Sequence, residues 1–280
     1  MTVARDHLLR SLAPLPDGAW AMIDEEARTR LAPALAARRV VDFAGPLGWT
    51  HSATNLGRTE ALAAADGLEA RRRRVLPLVE ARVPFTVSRQ ELFDADRGAA
   101  DRDLGDLARA AHRMAVAENQ AIFHGWEEAG VPGIVPASPH PPVPRVPDFE
   151  DYPQRVALAV TTLLENGVGG PYALVLGSAA YAKVIETAEH GGYPMWDHVR
   201  KILEDGPVVW APGVHGGVVL SLRGGDFLFE SGQDLSVGYD RHEGDAVHLY
   251  LEQSFSFRIA TPEAAIGLVS ASDADADRPA

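Results

Sequence analysis

The sequence predicts an α+β subunit of elongated, flat shape, and three stretches carry that reading. Across residues 101–129 the apolar side chains Leu104, Leu107, Ala111, Met114, Ala115 and Ile122 fall on one helical stripe, with Gly130 and Pro132 as a stop signal. At 1.5 Å per residue such a helix spans roughly 40 Å, more than a small compact domain needs for itself. Across residues 246–259, AVHLYLEQSFSFRI, the positions Val247, Leu249, Leu251, Phe255, Phe257 and Ile259 alternate with polar neighbours, and only Gln253 breaks the alternation. A strand of that length reaches about 45 Å, well beyond the usual. Residues 50–84, by contrast, show little periodicity and hold no hydrophobic cluster of their own. They read as a long excursion from the body.

The remaining elements follow in order. Asp17 is the expected N-cap of a helix over GAWAMIDEEARTRLAPALAARR, with Trp20, Ile23, Ala27, Leu31 and Leu35 on its apolar face and Pro33 expected to break or kink it near its end. Gly45, Pro46 and Gly48 then mark a turn. Seven prolines in residues 131–147 read as a stiff connector to a second module. That module contains a helix over 153–166 with Gly167 as its C-cap, a strand YALVL, a helix begun by Ser178 and a helix over MWDHVRKILE. After Pro207 the chain becomes mostly β, and the acidic tail SASDADADRPA is expected to be disordered.

At 280 residues and 46% hydrophobic composition the chain can bury a substantial core. Its 26 basic against 39 acidic residues leave a net charge of −13, which argues against a nucleic-acid or anionic-membrane partner. There is no cysteine, so disulfides, thiolate metal sites and a Cys nucleophile are excluded, and a reducing compartment fits. No segment approaches the roughly 20 apolar residues of a membrane span, and the N-terminus lacks a signal-length apolar run. A cytoplasmic location is the expectation.

No Gly-rich phosphate loop, His-Glu-x-x-His pair or Gly-x-Ser-x-Gly elbow is present, so no catalytic residue, cofactor or metal is expected. His242, Glu243, Asp245 and His248 are the best metal candidates, but their spacing around Gly244 is what a hairpin turn needs in any case. The segment Gly224-Gly225-Asp226-Phe227 resembles the signature of a nucleotide-cyclising enzyme. Its flanks VVLSL and FLFE read instead as two strands, with Gly224-Gly225 as the loop of a β-hairpin and Asp226 as a turn residue.

Three stretches together resemble a known family: LAPLPDGAWAMIDEEA running into RRVVDFAGPLGW, the central GPYALVL, and SLRGGDFLFESGQDLSVGYD with AVHLYLEQSFSFRIATPEAAI. They are similar to the encapsulin shell proteins, also called linocin-type bacteriocins, whose fold is that of tailed-phage major capsid proteins of the Hong Kong 97 type. The resemblance implies an N-terminal helix and arm on the inner face (1–49), an extended loop that pairs with a neighbouring subunit (50–84), a peripheral domain (85–130 and 224–268), an axial domain (131–223) and a tail (269–280).

It also implies self-assembly, with about sixty copies in the smallest closed icosahedral shell. The cargo would be a protein carrying a C-terminal targeting peptide, a dye-decolorising peroxidase by first expectation and a ferritin-like protein by second. Its apolar tail would lie in a groove formed by Ile23, Leu31, Leu35, Leu235 and Tyr239, with Arg38 and Asp234 meeting its polar groups. Glu189, His190, Gly191, Gly192 and Tyr193 resemble the family's five-fold pore loop, and Arg71, Arg72, Arg73 and Arg74 would pair with acidic groups of a neighbouring copy. Where family members often carry an aromatic residue this chain has Gln90, so no bound flavin is claimed. A secreted bacteriocin or protease and a genuine phage capsid protein are the alternatives.

Overall fold

A computed structural model of the chain describes residues 7–63, 66–144, 151–187 and 194–268. The first helix, α1 (Asp17–Leu31), starts from Pro16, with Asp17 inside its first turn rather than at the cap. There its carboxylate suits the positive end of the helix dipole. The helix stops at Leu31, two residues before Pro33, and the chain turns before a short 3-10 segment at Ala37–Arg39. Asn119 supplies what the broken helix lacks: its Oδ1 accepts from the N–H groups of Ala36 and Ala37 at 3.1 and 3.3 Å, and its Nδ2 donates to Ala34 O at 2.9 Å.

Strand β1 (Asp42–Ala44) leads to a two-stranded excursion, β2 (Ala53–Leu62) and β3 (Ala70–Pro77), whose residues are mostly exposed. Strand β4 (Val79–Ser88) follows at once and belongs to the main sheet, so the last residues of the segment expected as loop are sheet instead. Helix α2 (Arg89–Asp96) is capped by the Ser88 hydroxyl, which accepts from Glu91 N at 3.1 Å. The long helix α3 runs Gly105–His124, about 30 Å at 1.5 Å per residue. It is shorter than the pattern predicted because the Asp103 carboxylate bonds Gly105 N at 3.0 Å in place of a helical turn, and Gly125 at φ +95° ends it.

After a short α4 (Ile134–Ala137), the second module holds α5 (Tyr152–Glu165), β5 (Tyr172–Leu176), α6 (Ser178–Glu186) and α7 (Met195–Ile202). Then come β6 (Val208–Trp210), β7 (Gly217–Ser221), β8 (Phe227–Ser231), β9 (Ser236–Glu243), β10 (Ala246–Ile259) and β11 (Ala265–Leu268). One sheet runs β1-β8-β10-β4 with β9 also on β10, and a second runs β11-β7-β5-β6. Two expectations change here. Strands β7 and β8 lie in different sheets, so Gly224-Gly225 is a crossover turn and not a hairpin loop. Strand β11 joins the four-stranded sheet of the second module.

The length of β10 has a simple cause. One edge pairs with β4 from Ala246 to Phe255, while the other serves β9 over Ala246–Glu252 and then β8 over Phe255–Ile259, two short strands laid end to end. Its apolar register feeds both hydrophobic clusters: Val247, Leu249 and Leu251 one of them, Phe255 and Phe257 the other. Helix α3 crosses both, through Leu107–Ala115 and Ala121–Phe123. The polar register, Tyr250, Glu252, Ser254 and Ser256, is buried as well. It lies beneath the N-terminal segment and the root of the hairpin, where Thr54 bonds Glu230 at 2.5 Å and Ser256 at 2.6 Å.

Candidate functional site

A cleft of about 430 Å³ opens between α1 and β9. Ala27 and Leu31 of α1, Leu35 beyond its end, Leu235 and Val237 at the start of β9, and Leu251 of β10 supply apolar lining, and Arg10, Asp24, Arg28, Arg38 and Asp234 supply the charges. The two sides meet because the apolar stripe of α1 lies on the β9–β10 sheet, while the proline break turns Leu35 and Arg38 back toward it. Leu31, Leu35, Arg38, Asp234 and Leu235 of the expected groove are thus brought together. Ile23 and Tyr239 are not. Ile23 is fully enclosed in the core, and Tyr239 is buried with its hydroxyl 2.6 Å from His242 Nδ1.

The charged groups are committed to one another. Arg38 donates through Nε and Nη2 to Glu118 at 2.9–3.1 Å, through Nη2 to Gln253 Oε1 at 2.7 Å, and through Nη1 to Asp234 at 2.6 Å. Its guanidinium also lies over the rings of Phe43 and Phe229, 5.2 Å from each. Burial opposes the positive charge, but the carboxylates of Glu118 and Asp234 outweigh it and hold the pKa of Arg38 above its ordinary value. Arg38 and Asp234 therefore hold the wall of the cleft through their bonds to each other and to Glu118. Across the cleft Arg10 grips both oxygens of Asp24 at 2.7 Å and donates to Val237 O at 2.7 Å, lying 4.7 Å over Trp20. With its charges paired, the cleft suits an apolar segment of chain better than a small ion.

The sequence pattern missed Arg10, Glu118 and Gln253. For Gln253 a signal existed. It is the one polar residue in the apolar register of β10, and in the fold it faces inward to Arg38, with Nε2 3.5 Å from Met114 Sδ. Arg10 and Glu118 gave none, because a single cation in LLRSL and a single carboxylate on a long helix look like solvated surface.

The other candidates lie apart. Arg71, Arg72, Arg73 and Arg74 are on β3; Arg72 donates through Nε to Glu60 at 2.8 Å, and Arg74 is opposite Arg58. Arg72 is thus paired within its own hairpin, whereas among the described residues Arg71, Arg73 and Arg74 form no ion pair. His242, Glu243, Asp245 and His248 surround the β9–β10 turn at Gly244 and serve separate partners. Asp245 accepts from the Ser88 hydroxyl at 2.5 Å and Gln90 N at 2.9 Å, which together, the hydroxyl first, lower its pKa. His248 meets Thr86, and Glu243 meets Arg241. Gln90 donates to Asp94 at 2.9 Å. In the crossover turn, both oxygens of Asp226 are taken by Arg223 at 2.9 Å, and Gly225 N donates to Asp42. Glu189, His190, Gly191, Gly192 and Tyr193 lie outside the described residues, as does the 269–280 tail.

Comparison with known proteins gives the family and the fold. The model of the family described as "Encapsulating protein for peroxidase" matches residues 5–256. The chain is similar to a type 1 encapsulin shell protein of Rhodospirillum rubrum, at 47% identity over 276 residues covering 96% of this chain and 98% of that one. It is also similar to a type 1 encapsulin shell protein of Brevibacterium linens, at 43% identity covering 94% and 99%. Among solved structures it resembles the virus-like particle from Pyrococcus furiosus, with a TM-score of 0.60 at 15% identity over 89% of this chain and 98% of that chain. The capsid of the Myoviridae phage XM1 gives 0.52 at 10% identity, over 85% and 92%. The fold is therefore that of phage major capsid proteins, and the chain belongs to the encapsulin shell protein family.

Proposed function

We propose that the chain is the building block of a closed, hollow shell, and that the cleft beside α1 receives a short apolar tail of an enclosed cargo protein. The subunit performs no chemistry of its own in this reading. About sixty copies form the smallest closed shell. The cargo is a dye-decolorising peroxidase first, in keeping with the family's description, and a ferritin-like protein second. The compartment is cytoplasmic. Arg71, Arg73 and Arg74 are left to pair with a neighbouring copy, and Glu189→Lys with His190→Ala should change the turnover of a charged cargo substrate.

The observation that carries the proposal is an open cleft with an apolar strip of Ala27, Leu31, Leu35, Leu235 and Val237 and with charges already paired within the chain. A tail burying a few hundred Å² there gains only several kcal/mol at about 25 cal/mol per Å², before ordering costs. Capture then depends on many cleft copies facing one lumen. The test is co-expression with a peroxidase carrying its own C-terminal tail, followed by purification of the particles. Leu35→Asp with Leu235→Asp should leave particles that assemble and lack cargo, and Leu235→Asp alone should lower loading at an unchanged unfolding temperature. Normal loading in the double variant would remove the cleft from this role.

A further inference from the structure

We propose that His7 and Glu252 form a proton-operated latch that clamps the N-terminal strap, residues 7–16, onto the five-stranded sheet and so sets the firmness of one wall of the cleft. The strap reaches that wall through Arg10, which ties it to Asp24 on α1 and to Val237 on β9. It reaches the sheet through Leu8 O, which accepts from Tyr239 N at 2.8 Å. Between those two attachments Leu9 is held at φ +54°, a left-handed conformation that a branched side chain keeps only where its surroundings impose it.

At the head of the strap the imidazole of His7 stacks on Trp49, with ring centroids 4.2 Å apart, and points Nε2 at Glu252. The Glu252 side chain is fully buried. Its Oε2 is taken by Arg82 of β4, while Oε1 lies 3.7 Å from His7 Nε2, and among the described residues neither of these last two atoms has a hydrogen-bond partner. A buried carboxylate oxygen without a donor is unfavourable, and a neutral imidazole at that distance relieves it little. A proton on His7 turns the same contact into an ion pair and draws the strap down. The attachment is therefore stronger with the imidazole protonated than with it neutral.

The other groups around this contact do not supply the switch. Arg82 is occupied by Glu252 and by the face of Tyr250, 4.4 Å from the ring centroid. Trp49 is neutral, β9 presents the backbone of Tyr239, and Arg10 is committed to Asp24. His51, two residues beyond Trp49, is hydrogen-bonded to Glu230 at 2.7 Å at the root of the hairpin and serves as the control.

The latch rests on the cargo reading only for its consequence, and it is measured without cargo. The Tyr239 amide, bonded to Leu8 O, reports the attachment directly. Hydrogen exchange of purified empty particles, followed by mass spectrometry over peptides containing Tyr239 and residues 8–13, is compared at about pH 5.5 and about pH 8. After correction for intrinsic exchange, protection in the unaltered chain should be about fivefold higher at the acid pH. It should be independent of pH in His7→Gln and in His7→Phe, which keeps the stack on Trp49, and should persist in His51→Gln. Equal protection at both pH values in the unaltered chain, or dependence that survives His7→Gln or vanishes only in His51→Gln, overturns the latch. Particles whose strap responds to pH but whose Leu35→Asp, Leu235→Asp variant still loads cargo would instead overturn the cleft reading and leave the latch standing.

Discussion

Arg38 joins three parts of the chain that are far apart in sequence: the turn after α1, the middle of α3 and the β9–β10 sheet. Its partner Glu118 has a side chain with no exposed surface, so the carboxylate depends on the guanidinium for compensation. Removing one member of such a pair costs about 3–5 kcal/mol, because the other charge is left buried alone. Arg38→Met should therefore lower the unfolding temperature by roughly 10 °C in a chain of this size. Arg38→Lys should recover little, since a single ammonium cannot reach Glu118, Asp234 and Gln253 together. Glu118→Gln added to Arg38→Met should restore part of the loss, and a double variant as unstable as the sum of the singles would show that the pair is not coupled.

At the scale of elements, the hairpin β2–β3 stands out from the body it leaves. Val75 and Leu62 are exposed, and the contacts that hold it are at its root, where Thr54 and His51 meet Glu230 and Leu78 N donates to Ser52 O. A segment without its own core is ordered beyond that root only by what it binds. Deleting Leu62–Arg72 should leave a folded subunit that does not assemble, since the root contacts and both hydrophobic clusters lie outside the deleted stretch. Closed particles in negative-stain images of that deletion would contradict the role given to the hairpin.

The same elements show what a sequence pattern can carry. The stripe on α3 was legible because burial on one face imposes a period, the alternation on β10 because one face packs in the apolar clusters and the other on polar partners, and Gln253 was legible as a fault in that period. The end of α1 was legible through Pro33, whose ring and missing N–H no helix interior tolerates. The partners of β7 and β8 were not. Two short alternating runs around a Gly-Gly pair read as a hairpin, whereas the pairing is decided by distant strands, β11 and β5 for one and β1 and β10 for the other. Of the cleft, the apolar residues were legible and the charged cage was not. Its members come from segments some 80 to 215 residues apart, and no local period links them.

At the scale of the whole molecule, the two clusters bury the apolar faces of the main sheet, but α5 keeps Leu158 and Leu164 turned outward at 52% and 53% exposure. Ile185 on α6 is exposed at 58%. Scattered exposed leucines are ordinary on a monomer, yet here they lie on the module whose opposite side packs on β7 and β11. In a shell built of one chain repeated by symmetry, an exposed leucine that meets the next copy does so in every subunit, and its effect is multiplied by the number of copies. Two added charges at exposed positions should change the stability of the isolated fold by no more than about 0.5 kcal/mol each. At an interface each would be desolvated once per subunit. Leu158→Glu with Leu164→Glu is therefore expected to give subunits with an unchanged circular dichroism spectrum that populate monomers and small oligomers in mass photometry. If that variant instead formed closed particles as completely as the unaltered chain, α5 would not face a neighbouring copy, and the contacts between subunits would have to be sought on the hairpin and the N-terminal strap.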